Sequence, residues 1–409
     1  MAKLYRYPLG GFWNTTTKFG HQTPIYYQEV VPGQSLHGNL RVKLVTDSVI
    51  KIALNRMWYD TFVFYIPYRL LHSDWPAWIA GDDTAAAPPT VDETWFWNFE
   101  GYLLASTRTE NVAWMRYAYN YVWNKALRGN DQAEVLLDAN DPLEVLNRAR
   151  SWQNQLNVNT PPTETAASLD IEDIKESMSE YRRKRMEYFF QGPENRDYLA
   201  LLERMGVQAG WEVDDEPRLI GQYHAQATFE TVMNTGTSTA SPSGLWSGHC
   251  EVKFGSKLFP EHGIIAAYMV PRMEFPHYRA GNIHPMLYKT DRHFYYTDGQ
   301  RNRTPQAWPE EFAGDGIVQV NQYAPAWEDY RTPVSQMFAS EDTSAPWDKN
   351  YAIVGENITS ASAAQLRNYQ HNVDNGDFFR GFLGDGEVAV YTEVSGSQRS
   401  PVPPRQVNI

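Results

Sequence analysis

Neighbouring carboxylates are the residues in this sequence whose spacing could most directly perform chemistry. Asp82-Asp83 and Asp214-Asp215-Glu216 could each bind a metal ion, or share a proton between two acids. However, both groups lie beside Gly or Pro, and no further ligand follows at the spacing of a metal site. The sequence therefore favours solvated turns at both places.

The ten histidines and the single cysteine form no catalytic or metal-binding motif. The sequence contains no H-E-x-x-H pair, no G-x-S-x-G nucleophile turn and no Walker-type phosphate loop. Cys250 lies in a strand-like run, which favours a small core residue over a nucleophile. We therefore predict that the protein is not an enzyme and that it holds no cofactor and no metal.

One dense basic run could contact phosphate groups. It consists of Arg182, Arg183, Lys184 and Arg185. The same predicted helix begins with acidic residues, and acid early with base late suits the helix dipole and i,i+4 pairing. This pattern favours a solvated face or a subunit contact, with nucleic-acid contact as the alternative.

The composition limits the kinds of partner that the chain can bind alone. It has 409 residues and a net charge of −13, so it cannot by itself neutralise many phosphates. Nucleic acid would need a local patch or a separate basic partner. Aromatic residues make up 14%, which is typical of subunit interfaces but would also suit a sugar-binding cleft. The sequence shows no signal peptide and no apolar membrane span, so we expect a soluble protein of the cytoplasm.

Alternating apolar residues predict strands near both ends of the chain, and helical spacing predicts helices between them. The predicted strands are Asn39–Val45, Val49–Leu54, Met57–Ile66, His249–Phe254, Ile264–Val270 and Glu387–Val394. The predicted helices are Val112–Arg128, Asp170–Phe190 and Arg196–Met205. In the first helix we expect Trp114, Tyr117, Tyr121 and Trp123 to lie near one stripe.

This order of strands, helices and strands favours one β framework that carries an insertion. We assign 1–105 to an N-terminal arm and the first strands, and 106–215 to a mainly helical insertion. Residues 216–409 then hold the remaining strands, long loops and an extended tail that contains several prolines.

The aromatic stretch from Trp58 to Gly81 resembles a motif of one virus family. A strand of the type D-x-F-x-F-Y/F-V/I-P-x-R, followed by Trp and Gly, is typical of the major capsid proteins of the Microviridae, the small icosahedral single-stranded DNA phages. The matching residues are Asp60, Phe62, Phe64, Tyr65, Ile66, Pro67, Arg69, Trp75 and Gly81. We expect Phe62, Phe64 and Ile66 to pack the core.

Further stretches resemble the same family in the same order. Pro32-Gly33-Gln34-Ser35 is similar to its turn before the first long strand, and Tyr119 to Arg128, with Asn120 and Trp123, to its Y-N-x-I-W-N helix. A third match is similar to its V-P-E-H-G turn and consists of Pro260, Glu261, His262 and Gly263. The closing strand Glu387–Val394 occupies the family's last-strand position.

The resemblance implies a mainly β protein, an eight-stranded viral β jelly roll with large, partly helical insertions. Family members assemble sixty copies into a T=1 shell around circular single-stranded DNA. Their partners are an internal scaffolding protein, a small basic DNA-binding protein and a pilot protein. The resemblance thus implies a virion protein that assembles in the host bacterial cytoplasm without a membrane.

A carbohydrate-binding or carbohydrate-active jelly roll is the alternative function. Its enzymatic form requires two carboxylates about 5–10 Å apart in an aromatic cleft. The separation of carboxylates in the folded protein therefore tests it.

Overall fold

The computed structural model describes slightly less than half of the chain. The described residues are 4–48, 52–53, 56–91, 111–128, 134–139, 141–143, 145, 196–205, 207, 216–234, 241–273, 351–352 and 388–403. The predicted helix Asp170–Phe190, with Arg182, Arg183, Lys184 and Arg185, lies outside them, as do Asp214 and Asp215.

β-strands dominate the described residues. In chain order they are β1 (Tyr5–Thr17), β2 (Thr23–Val30), β3 (Ser35–Thr46), β4 (Ile52–Ala53), β5 (Met57–Pro67), β6 (Thr90–Val91), β7 (Asn111–Val112), β8 (Arg218–Gln226), β9 (Thr228–Asn234), β10 (Ser241–Ser256), β11 (Gly263–Met273), β12 (Tyr351–Ala352) and β13 (Val388–Ser400). The helices are α1 (Tyr68–Leu71), α2 (Trp75–Ala80), α3 (Trp114–Val122), followed by a π-helical turn at Trp123–Leu127, and α4 (Arg196–Arg204).

The long strands form two antiparallel sheets. The first sheet has five strands in the order β1-β13-β3-β10-β9, and the second has four in the order β2-β11-β5-β8. Apolar side chains from both sheets form one buried cluster between them, which includes Leu40, Val42, Tyr59, Tyr65 and Ile265. The prediction of a mainly β protein is confirmed.

The strand β3 shows why the sequence predicts this arrangement well. Leu40, Val42 and Leu44 are fully buried, while Arg41 and Lys43 between them are exposed. Side chains alternate between the two faces of a strand. The sequence of a strand with one buried and one solvated face must therefore alternate between apolar and polar residues. The predicted strand Asn39–Val45 is therefore confirmed and extends to Ser35–Thr46.

The strand β5 differs because both of its faces are covered. Met57, Tyr59, Val63 and Tyr65 face the other sheet. Phe64 and Ile66 belong instead to a second buried cluster, between the four-stranded sheet and the helices, and Phe62 is only partly buried there. Phe64 and Ile66 are therefore buried in a core, as expected, but it is the core beneath the helices and not the one between the two sheets.

The helices α1 to α4 lie in the part of the chain between β5 and β8, which are direct neighbours in the second sheet. The predicted helix Val112–Arg128 is confirmed over α3 and its π-helical turn. The buried face of α3 centres on Ala118, Tyr119 and Val122, whereas Tyr117 and Tyr121 are only partly buried. Trp114 and Trp123 are buried with this face, so the predicted aromatic stripe lies partly on the buried face and partly at its edge.

Two strands near the start of the chain have no signal in the sequence patterns. β1 pairs along its whole length with β13, and β2 pairs with β11. β1 carries Gly10-Gly11 and exposed residues on most positions, so it lacks the apolar alternation by which strands are recognised. Among the described residues, no helix is long and apolar enough to cross a membrane.

Candidate functional site

Several motif residues meet at one end of the four-stranded sheet. Pro67 is the last residue of β5 and lies opposite Gly263, the first residue of β11. The backbone N–H of Tyr68, at the start of α1, donates to the carbonyl oxygen of His262 at 3.0 Å. Two stretches far apart in the sequence, the aromatic strand and the P-E-H-G turn, therefore form a single corner.

A buried ion pair fixes this corner. Arg69 donates from Nε to Oε2 of Glu261 at 2.9 Å and from Nη2 to Oε1 at 3.0 Å. The two side chains are 6% and 0% exposed. Two parallel hydrogen bonds between a guanidinium and a carboxylate are strong and directional. They hold α1 against the turn before β11.

Two tyrosines complete the coordination of Glu261. Tyr198 of α4 donates to Oε2 at 3.2 Å, and Tyr65 of β5 donates to the backbone carbonyl at 2.9 Å. Burial, together with the nearby Glu261 charge, raises the pKa of Tyr198 well above its usual value, so its hydroxyl remains a donor. Glu261 therefore ties α1, α4, β5 and β11 together.

His262 is the neighbouring titratable group and is kept neutral by burial. Its ring lies 5.7 Å from that of Trp75 in an edge-to-face arrangement. Burial lowers its pKa to about 4, because the charged imidazolium loses hydration there. The sequence prediction of a turn residue is correct in position, but the side chain packs inward.

The glycine of the turn is required by the closeness of two backbones. A Cβ atom at Gly263 would lie 2.5 Å from the carbonyl oxygen of Ile66. No side chain can move to relieve that contact, because the obstructing atom belongs to the neighbouring strand. Pro260 is buried in the same turn.

Asp60 lies at the other end of β5 and has different partners. Its Oδ2 is 2.9 Å from Nε of Arg272, and its Oδ1 contacts Nδ1 of His224. The ring of His224 stacks on Trp58 at 4.8 Å between centroids. This cluster joins β5 to β8 and β11 at the edge of the sheet.

Asn120 and Trp123 position the segment after α3. The side-chain amide of Asn120 donates to the carbonyls of Leu137 at 2.8 Å and Ala139 at 2.9 Å. Trp123 is buried and begins the π-helical turn. Asn120 therefore holds residues 137–139 by hydrogen bonds, whereas Trp123 packs in the core beneath the helices.

These arrangements do not support a glycosidase. Asp60 and Glu261 are both buried and paired with arginine, and they lie near opposite ends of β5, about 23 Å apart along the strand at ~3.3 Å per residue. Glycosidase carboxylates are about 5–10 Å apart.

Asp82 is an exposed turn residue that accepts two hydrogen bonds from Thr84, and these lower its pKa. No group of three or more potential metal ligands occurs among the described residues.

The sequence patterns did not indicate Tyr65 and Tyr198 as partners of Glu261. They also did not indicate a group of basic residues that lie close together on the five-stranded sheet. Arg6, His37, Lys257 and Arg399 lie around one pocket. They stand singly in four distant stretches of sequence, so no charge run marks them. Only the pairing register of the strands could have indicated that they meet.

Comparison with known proteins agrees with the motifs. Residues 9–144 match the family described as Capsid protein (F protein). This region holds most of β1, the strands β2 to β7, the helices α1 to α3 and the first three motif stretches along the chain. No curated protein matches the chain. Over residues 9–144, about a third of the chain, the protein is thus similar to this capsid protein family, and the resemblance to the Microviridae capsid proteins that the motifs in this stretch predict is confirmed.

Proposed function

We propose that this protein is the major coat subunit of a small phage and that sixty copies form a T=1 shell around circular single-stranded DNA. The observation that carries the proposal is the capsid-family match over residues 9–144. Closed symmetry multiplies the contacts of one subunit, so modest interfaces suffice for a stable shell. The virion is then its location, and the host bacterial cytoplasm its place of assembly.

The proposed fold is an eight-stranded jelly roll. If β9 and the two-residue strands are set aside, the eight remaining strands can be counted along the chain. The first sheet then reads 1-8-3-6 and the second 2-7-4-5. This interleaved order supports a jelly roll, in which the first and last strands are neighbours. The pairing of β1 with β13 fits it.

The proposed insertion lies between β5 and β8. These strands pair directly, although Pro67 and Arg218 are far apart in the sequence. The described helices of that stretch pack on the outer face of the second sheet. This supports the division into 1–105, a mainly helical 106–215 and 216–409, as parts of one domain.

The proposed partners are an internal scaffolding protein, a pilot protein and a small basic DNA-binding protein. A net charge of −13 supports the need for the basic protein, because a genome inside an acidic shell requires neutralisation. The Arg182, Arg183, Lys184 and Arg185 run stays a candidate for a subunit or DNA contact.

Co-expression with the scaffolding protein tests the proposal. Sedimentation and negative-stain microscopy should reveal closed particles of uniform size, and nuclease treatment should leave protected circular single-stranded DNA when the genome and packaging partners are present. The chain expressed alone serves as the control for partner dependence. A monomer under all conditions, with the partner included, would contradict the proposal.

A further inference from the structure

A basic pocket opens on the outer face of the five-stranded sheet. It has a volume of about 330 Å³ and is lined by Arg6, Ser35, His37, Lys257, Ser397 and Arg399. These residues come from β1, β3, β13 and the segment directly after β10. Three cations, one histidine and two hydroxyl groups therefore surround a single space.

The strand register places like charges directly opposite one another. Arg6 of β1 lies opposite Arg399 of β13, and Arg399 lies opposite Ser35 of β3. Two residues further along, Ser397 lies opposite His37 on the same face. Facing like charges destabilise a sheet unless an anion lies between them.

No described acid neutralises these cations. Among the described residues, no hydrogen bond or ion pair joins Arg6, Arg399 or Lys257 to a carboxylate. Within β13 the only acidic residue is Glu393, about 20 Å from Arg399 along the strand at ~3.3 Å per residue. Glu393 and its neighbour Glu251 already pair with Arg41. The pocket is therefore open to an external anion.

Two exposed aromatic rings lie on the same face. Phe12 of β1 and Tyr391 of β13 stack with centroids 6.5 Å apart and planes 19° apart. They are 68% and 43% exposed. Phe12 lies six residues from Arg6, again about 20 Å along the strand. Phe12 itself lies opposite Glu393, so the rings are separated from the cations along the strand. Exposed aromatic faces on the same surface as a basic groove are elements by which proteins bind single-stranded nucleic acid.

We propose that this open face binds the backbone of a single strand of DNA, with one phosphate in the pocket between Arg6 and Arg399 and a base against Phe12 and Tyr391. The proposal rests on the proposed coat function and deepens it by naming a DNA-facing surface. It explains how a chain of net charge −13 presents a local basic site.

Direct binding of a labelled oligothymidylate to the purified full-length chain, followed by fluorescence anisotropy, tests this site. Arg6→Gln/Arg399→Gln should weaken binding about 20-fold at ~0.1 M salt and make the salt dependence less steep by about 1.4 in log–log slope. Phe12→Ala should weaken binding about tenfold without changing that slope. Arg6→Lys/Arg399→Lys keeps both charges and should keep the slope.

A charge-matched control separates the pocket from the overall charge. Lys18→Gln/Arg56→Gln removes two exposed cations outside the pocket and should leave affinity within about twofold. Equal losses in the pocket and control variants would overturn the proposal, as would an unchanged affinity in the pocket variant. Circular dichroism would verify that each variant is folded.

Competitors identify the source of the anion. Inorganic phosphate should displace DNA only weakly, because it offers one charge, whereas unlabelled single strands should compete fully. If polyglutamate competed as well as DNA and Phe12→Ala had no effect, an acidic protein segment would be the occupant and the proposal would be wrong. Shell assembly, measured by sedimentation, is a separate readout: closed shells with unaltered DNA binding would overturn this site but not the coat function.

Discussion

The outer faces of the two sheets are built from the same kind of strand but have opposite surroundings. On the four-stranded sheet, Phe64, Ile66 and Tyr268 lie beneath helices and are nearly or fully buried. On the five-stranded sheet, Arg41, Lys43 and Lys253 are exposed. One face is thus a second core, and the other is a charged surface. The difference shows that the helices, and not the sheets, decide which side of the sandwich is available to a partner.

The sequence of each strand records its surroundings. β11 reads Gly-Ile-Ile-Ala-Ala-Tyr-Met-Val and is apolar on both faces, as expected for a strand covered on both sides. β3 alternates instead. The same contrast extends to ion pairs, since Arg69–Glu261 is buried on the covered face and Arg41–Glu251 is about half exposed on the open one.

Of the substitutions proposed here, Glu261→Gln should cause the largest loss of folding free energy, because it breaks the ion pair on the covered face. Removing the carboxylate charge leaves Arg69 buried without its counterion, which costs about 3–5 kcal/mol of folding free energy. Urea unfolding followed by tryptophan fluorescence would measure it. Glu251→Gln is the matched change on the open face, and an equal loss there would break the comparison.

Acid should lower the folding stability of the protein through His262, which lies on the covered side of the four-stranded sheet. Its folded pKa of about 4 lies below the unfolded value of about 6.5, so stability is complete above pH 6.5 and falls as the pH drops towards 4. The loss should reach about 3 kcal/mol near pH 4. His262→Gln should reduce the difference between urea unfolding at neutral and acidic pH.

His37→Gln makes the same chemical change at an exposed position and serves as the control. If His262→Gln and the unaltered protein lost equal stability on acidification, burial of His262 would not be the cause.

Two adjacent isoleucines allow a matched comparison of the two cores. Ile265 faces the other sheet and Ile264 faces the helices, and both are almost fully buried. Ile264→Val and Ile265→Val should therefore each cost about 1 kcal/mol. Calorimetric or urea unfolding would measure both, and a neutral Ile264→Val would show that the helical side is not a true core.

The smallest effect is expected on the open face. Arg41→Met removes the contacts of Arg41 with Glu251 at 3.3 Å and Glu393 at 4.0 Å. Solvent screens such a pair, so the urea midpoint should not change measurably at low or high salt. A clear loss of stability that persists at high salt would show that this face is less solvated than its exposure suggests.

The sequence predicted strands where burial forces a pattern. β3, β11 and the first half of β13 carry apolar alternation or an apolar run and were recognisable. β1 and β2 were not, since β1 is largely exposed and its stability depends on pairing with a strand from the other end of the sequence. Local pattern contains no information about such a partner.

The candidate sites likewise include residues that sequence motifs mark and contacts that only the folded structure shows. Arg69 and Glu261 were both recognisable from family motifs, but their contact spans 192 residues and only the fold reveals it. The pocket residues Arg6 and Arg399 had no motif at all. The family resemblance marked Arg69 and Glu261, whereas the basic face could be recognised only from the strand register.

The pairing of β1 with β13 also governs how the chain can be made. β13 lies between β1 and β3, and the side chain of Tyr7 reaches the backbone of Val402, 395 residues away. Until the ribosome has synthesised β13, the inner edges of β1 and β3 have no strand between them, and unpaired edges invite aggregation. The first sheet is therefore completed only after nearly all of this sequence has been translated.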